Sequence, residues 1–277
     1  MVSSVFAFAS RGADRTFIRL SRTDRLSPYS LPWNLVHAQL DEAFSAPATE
    51  LLVGVEHQTP WTALRCVELS DGKSVDVAGD DEAVLLLLRG EVVTSQEAHL
   101  KAPALVRAAA RPAVLRAQGS ARLLCAHVRL TTSDETTPAC DGLNPEALTW
   151  RDAIHGGGGR IATRHVWRGE DFAGTAWVYV DHAILGTHSS LGHHYHEAGE
   201  EVFVVLEGQG RMTVGDSTFD VGPGSVTYQP IGVGHGLYNP HDEDLVFVRL
   251  AVGIPGEVFT TIDLDDDLRT RQTGAKS

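Results

Sequence analysis

The segment Gly192-His193-His194-Tyr195-His196-Glu197-Ala198-Gly199-Glu200-Glu201-Val202-Phe203-Val204-Val205-Leu206-Glu207-Gly208 carries two patterns at once. Residues 202–206 form an unbroken apolar run that ends near a glycine, the mark of a buried strand running into a turn. Upstream, His194 and His196 stand two apart. On a strand such positions share a face, so the two imidazoles project together while Tyr195 points the other way. Glu201 follows across Ala198-Gly199, where a strand pair can turn, and then shares a face with Phe203 and Val205. A third imidazole, His235, arrives behind Pro230-Ile231-Gly232-Val233-Gly234, whose proline and glycines set a tight corner. Neutral imidazoles with one carboxylate are the usual donors for Fe, Mn, Ni, Co or Zn. Such a set leaves coordination positions open, as a catalytic ion needs and a structural ion does not.

Outward from this segment the chain keeps the same rhythm. Short apolar stretches at 51–55, 63–69, 83–88, 123–130, 176–185, 211–214, 225–229 and 245–252 alternate with Gly, Asp, Asn or Pro signals. That spacing predicts an all-β fold of sandwich or barrel type. Helix signals are few. One candidate runs from Asn144 as N-cap and Pro145 to a stop at Gly156, and a weaker one covers 36–44. The polar stretch from Thr131 to Cys140 marks a boundary, and the tail after Ile262 reads as loose. The halves also look like a diverged repeat. Residues 82–90 can be laid on 200–208, which sets Asp76, Ala78 and Ala83 opposite His194, His196 and Glu201. Nothing in 112–118 matches His235, so the first half keeps a framework without the donors.

The spacings also resemble a known superfamily. His194-x-His196, four residues, Glu201, six residues, Gly208 is similar to the first cupin motif. Gly224, five residues, Pro230-Ile231-Gly232, two residues, His235, three residues, Asn239 is similar to the second. The likeness is strong over 160–252. One departure is His188, which stands where the motif has a glycine. The resemblance implies two cupin barrels (jelly rolls, or double-stranded β-helices) in tandem, with few short helices. It implies that His194, His196, Glu201 and His235 hold one divalent ion, Fe2+ first among Mn2+, Ni2+, Co2+ and Zn2+. The expected organisation is a degenerate barrel over 1–135, a linker with a short helix over 136–159, the intact barrel over 160–262 and the tail over 263–277.

Composition limits the partners. The 277 residues carry a formal net charge of −13, which argues against nucleic acid and anionic membranes. The three cysteines, Cys66, Cys125 and Cys140, lack CxxC spacing, so no disulfide framework or thiolate metal site is expected. The start lacks a basic n-region, and no apolar run is long enough to span a bilayer, so a cytoplasmic protein is expected. The partners expected are a small-molecule substrate and a second copy of the chain in a homodimer.

Other residues rank below the four donors. Tyr228 and Gln229 precede the ligand corner, and by alternation one of them faces the pocket. His182 and His188 could sit near the barrel mouth, although a solvated position is favoured for both. His193 is read as exposed or as a hydrogen-bond donor behind the ligands, and His241 as a surface residue. Gly156-Gly157-Gly158-Gly159 lacks a phosphate-loop ending and reads as a flexible approach to the barrel. Arg160 and Arg164 could hold a carboxylate but more often form a solvated stripe, while Phe203 and Val205 should wall the cavity. The leading reaction class is an O2-using dioxygenase or oxidative decarboxylase. A Lewis-acid isomerase, cyclase or lyase is the alternative, followed by a metal-bearing binding protein.

Overall fold

The computed structural model describes residues 37–39, 48–51, 58–77, 81–109, 113–130, 137–174 and 176–274. In the first half these form strands β1 (His37–Gln39), β2 (Ala48–Glu50), β3 (Trp61–Leu69), β4 (Ser74–Val77), β5 (Asp81–Thr94), β6 (His99–Lys101), β7 (Ala104–Ala109), β8 (Ala113–Arg129) and β9 (Ala139–Asp141). The second half continues with β10 (Thr149–Asp152), β11 (Arg160–Arg168), β12 (Trp177–Leu185), β13 (Ser190–His196), β14 (Gly199–Glu207) and β15 (Gly210–Val214). It closes with β16 (Ser217–Val221), β17 (Ser225–Gln229), β18 (His235–Tyr238), β19 (Leu245–Gly253) and β20 (Thr261–Asp263).

The pairings between strands are antiparallel. Strands β2 to β9 make one eight-stranded sheet. The second half makes a seven-stranded sheet, in the order β1-β17-β14-β19-β12-β11-β10, and a five-stranded sheet, in the order β16-β15-β18-β13-β20. The tandem all-β architecture read from the sequence is therefore present, with β1 crossing over to lie on β17 of the second half.

Both helix expectations need correction. Asn144 does cap a turn, but that turn is only the 3-10 element Pro145–Ala147, and the chain then enters β10. Antiparallel pairing of β10 with β11 outcompetes the weak helix periodicity of this stretch. Within 36–44, residues His37–Gln39 are a strand, and the remainder of that candidate lies outside the described residues. The 136–159 stretch supplies β9 to the first-half sheet and β10 to the second rather than running free. The tail is also tied down as far as Gly274. Leu268 is buried, Asp266 pairs with His193 at 2.7 Å and with Arg271 at 2.6 Å, and Gly274 N donates to Thr218 O.

Three apolar clusters explain the continuous hydrophobic runs. Along β5, Ala83, Leu85 and Leu87 turn into the first barrel, while Val84 and Leu86 turn toward the other half. Along β14, Phe203 and Val205 turn into the second barrel, while Val202 and Val204 meet the first half. Strands buried on both faces lose the usual polar alternation. Each large aliphatic side chain buried in the shared cluster contributes about 1.5–3 kcal/mol, so the interface holds the halves as one unit.

That interface has approximate two-fold character. Trp61 opens β3 and Trp177 opens β12, and their rings meet edge-on at 5.4 Å. Glu82 of β5 accepts from Ala173 N in the second half at 3.2 Å. Its counterpart Glu200 of β14 accepts from Thr59 Oγ1 in the first half at 2.5 Å. Gly90 and Gly208 both take positive φ, +86° and +77°, where a Cβ would stand 2.1 Å from Ser120 O and 2.3 Å from Asp244 O respectively. The repeat suggested by the sequence is thus reproduced in position, backbone conformation and contact.

Candidate metal centre

A bulge sets the parity of the ligand strand. Leu191 pairs with Leu237, yet His194 rather than His193 pairs with His235, so β13 holds one extra residue there. In a regular strand, Leu191 and His194 would face opposite ways. The bulge brings both into the barrel, with His196 following two positions on. The same region accepts a close crossing. At Gly192 a Cβ would lie 1.7 Å from His155 O, and at Gly157 it would lie 1.9 Å from Ser190 O. The segment from Gly156 to Gly159 is therefore not a flexible approach. It lies on β13, bound through Ser190 N to Gly158 O (2.8 Å) and Gly192 N to Ile154 O (3.1 Å). This close packing stacks the His155 ring on His194, with centroids 4.0 Å apart.

Glu201 enters from the opposite sheet, in register with Gln229 on β17 and Ala251 on β19. His235 is delivered by the corner before β18. Gly232 takes φ +74°, its N–H donates to His196 O at 2.8 Å, and Gly215 N donates to Gly234 O at 2.7 Å. Asn239, fully buried, donates to the carbonyls of Gly186 (3.1 Å) and Glu243 (2.7 Å) and fixes the far end of β18.

The four residues offer donor atoms that all lie within 4.8 Å of one another, and all four are buried. Among the described residues no other group of this kind occurs. The pattern of protons tests whether a cation fits. His194 Nδ1 donates to Gly192 O (2.8 Å), His196 Nδ1 to Thr260 O (3.0 Å) and His235 Nδ1 to Val233 O (3.0 Å). Each Nε2 is thereby left as a lone pair. Those of His196 and His235 face Glu201 Oε2 at 3.2 and 2.8 Å, and that of His194 has no hydrogen-bond partner among the described residues. Acceptors converging on acceptors in a buried site require a positive charge between them, which a divalent ion supplies.

The ionisation states agree. Burial, then the neighbouring imidazoles of His235 and His155, hold His194 well below the usual histidine range and keep it neutral. Tyr179 donates its hydroxyl to Glu201 Oε1. Burial first, and Glu201 second, keep that phenol protonated. Oε1 is thus occupied, and Oε2 is free to face the ion.

Of the polar residues ranked lower by sequence, Gln229 alone reaches this face. Its amide, in the orientation that satisfies both ends, donates to Glu201 O at 2.8 Å and accepts from Thr227 Oγ1 at 2.7 Å. Tyr228 points away, into the cluster between the halves, where it hydrogen-bonds Glu200. His182 also faces away. It alternates with Asp181 and lies beside Arg164 and Asp141, which pair with each other at 2.6 Å. Arg164 is thus engaged with Asp141, while Arg160 lies over the Trp150 ring. His193 is buried beneath the tail rather than exposed. His188 is exposed and paired with Asp242 at 2.8 Å. His241 is exposed, on the surface as read.

The sequence reading missed a second layer of polar groups. Asp181 of β12 lies opposite Arg249 of β19 and also opposite His165 of β11. Arg249 Nη2 donates to Asp181 Oδ2, and His165 Nδ1 approaches Asp181 Oδ1, both at 2.5 Å. Phe259 covers His196, with ring centroids 4.3 Å apart, over Gly199, where any Cβ would meet its ring. Phe203, Val205, Phe247, Met212 and Leu237 fill the barrel interior in one apolar cluster.

Comparison with known proteins agrees with this geometry. The family described as cupin domain matches residues 182–253. No curated protein sequence matches the chain. Among solved structures, an oxalate decarboxylase from Lactobacillus farciminis in complex with formate is similar at TM-score 0.58 and 13% identity, covering 85% of this chain and 90% of that one. A cupin 2 conserved barrel domain protein from Leptotrichia buccalis matches at TM-score 0.57 and 12% identity, covering 80% and 99%. A Bacillus subtilis oxalate decarboxylase variant matches at TM-score 0.55 and 15% identity, covering 85% and 80%. At these identities the likeness is one of fold. Residues 182–253 are a cupin domain, and the chain around them has the two-barrel cupin fold.

Proposed function

We propose that this chain is a metal-dependent enzyme whose C-terminal barrel acts on a small organic molecule, as an O2-using dioxygenase or an oxidative decarboxylase. The observation that carries the reading is the convergence of three imidazole nitrogens and one carboxylate oxygen, from four buried residues, within 4.8 Å of one another. His194, His196, Glu201 and His235 would hold one divalent ion, Fe2+ first among Mn2+, Ni2+, Co2+ and Zn2+. When bound, that ion supplies a Lewis acid and, if redox-active, a site where substrate and O2 meet. Tyr179 holds Glu201 to a single free oxygen, Gln229 anchors its backbone, and Phe259 keeps water from the His196 side.

A second reading has its own support. His165, with its side chain 35% exposed, is oriented by buried Asp181 in the arrangement used to move protons. That favours a Lewis-acid isomerase, cyclase or lyase. Oxygen-electrode measurements on iron-loaded protein with a panel of small organic acids divide the two. Consumption of O2 that is lost in His194→Ala supports the first reading. Turnover without O2 consumption supports the second, and turnover retained in His194→Ala contradicts both.

The proposal includes a homodimer and no nucleic-acid or membrane partner. Strand β10 leaves an exposed sheet edge with Trp150 41% accessible, a surface that pairing would cover. Light scattering at micromolar concentration should give twice the chain mass, and a monomer would contradict the dimer. No helix among the described residues is long and apolar enough to cross a membrane.

A further inference from the structure

His155 carries a backbone conformation that its side chain does not favour. Its φ is +58°, in the left-handed region that residues other than glycine seldom occupy. Such strain persists only where the surroundings impose it, and it gathers at functional sites. Here the surroundings are β13. Ile154 O accepts from Gly192 N and from Gly157 N, both at 3.1 Å, so the chain on either side of His155 is tied to the ligand strand and to itself.

The outcome is the placement of one ring. His155 Nδ1 donates to Asp263 Oδ1 at 2.9 Å, and Asp263 stands opposite His194 in the register of β20 with β13. The His155 ring then lies nearly flat on His194, with centroids 4.0 Å and planes 24° apart. His235 and His196 meet the same ring at 58° and 74°. The bond from His194 Nδ1 to Gly192 O fixes one corner of that imidazole and leaves it free to tilt about the bond. A flat neighbour removes the tilt. The charges act in the same sense. An imidazole that ligates a cation loses electron density, while one that donates to a carboxylate gains it. An electron-rich ring face attracts an electron-poor partner.

We propose that His155, latched by Asp263, is a positioning residue of the metal centre, holding the His194 ring so that Nε2 faces the ion and strengthening ion binding through the stack. This rests on the metal reading above. Neither residue belongs to the group of converging donors, so both act through His194. The stretch between the two barrels thus takes part in the centre of the second.

Cobalt titration of the full chain, followed by visible absorption, tests this. His155→Asn removes the ring and tolerates the left-handed backbone. Asp263→Asn keeps an acceptor and removes the charge. Each should weaken cobalt binding about tenfold, the loss usual for a partner behind a ligand. The double variant should bind about as weakly as His155→Asn alone, because Asp263 acts through the ring. The cobalt bands of His155→Asn should shift from those of the wild type, since His194 is no longer held at one angle. The urea midpoint of the metal-free chain should stay in place in Asp263→Asn, whose side chain is 56% exposed. Three results would each overturn the positioning role and leave the metal reading intact. These are affinity within about twofold of the wild type in both single variants, a loss of about a hundredfold in the double variant, or a midpoint that falls in step with affinity. Unshifted bands in His155→Asn would do the same. Failure of the wild type to take up cobalt would sink the metal reading and this inference with it.

Discussion

His182 and His194 are both buried imidazoles on strands of the same barrel, and they differ in which way they face. His194 turns inward among other donors. His182 turns outward, where burial first and Arg164 second push its pKa down to about 4. An unfolded chain would bind that proton near pH 6.5, so stability rises with pH through this window. It is fully present above about pH 6.5, falls as the solution is acidified, and levels off below about pH 4. Replacing His182 with Leu should remove on the order of 2 kcal/mol of the stability lost between pH 7 and pH 4.5, read from urea midpoints at both pH values. An unchanged slope would place the titrating group elsewhere. At this scale the donors were legible because three histidines and a glutamate stand at fixed spacings. The parity of Tyr228 and His182 was not, since both faces of their strands are buried and alternation carries no hydrophobic contrast. Asp181 and Arg249 were legible in principle, as opposite charges inside two apolar runs.

The elements are set by a few backbone positions. His188 stands where the motif resemblance calls for glycine, and it takes φ +52°, the left-handed conformation that glycine adopts without strain. His188→Gly should therefore leave stability unchanged or raise it by up to about 1 kcal/mol, despite losing the Asp242 contact. A loss above about 1 kcal/mol in chemical denaturation would contradict this account of the turn. Gly208 shows the opposite case. Its φ of +77° and the 2.3 Å approach to Asp244 O leave no room for a methyl group. Gly208→Ala should cost about 1–3 kcal/mol, measured the same way. Such turns were visible as glycines in the sequence. The β13 bulge was not, because it is defined by partner strand β18 and not by any local signal. The helix expected after Asn144 failed for a similar reason, since β11 offered an edge for this segment to pair with.

At the scale of the molecule, the described residues of the first half hold no second group of converging metal donors. Its Ala83, which the repeat aligns with Glu201, lies in an apolar cluster with Leu85, Leu87 and Leu115, opposite His127 of β8. The two halves share one apolar cluster and exchange Glu82 and Glu200 as reciprocal acceptors, so they should unfold together. Trp177→Ala, which strips the ring packed on Trp61 and Phe172, should cost about 3–5 kcal/mol and keep a single transition. Two separated transitions would show that the halves are independent. The repeat was readable as a motif laid on itself, but the reciprocal interface was not, since its residues come together only once both sheets exist. The most direct test of the central claim is the metal content of the full chain purified without a histidine tag, compared with Glu201→Ala. The wild type should carry about one equivalent of a divalent transition metal, and the variant almost none while staying folded. Equal metal content in the two proteins, or a wild type that stays empty after incubation with Fe2+, Mn2+ and Co2+, would contradict it.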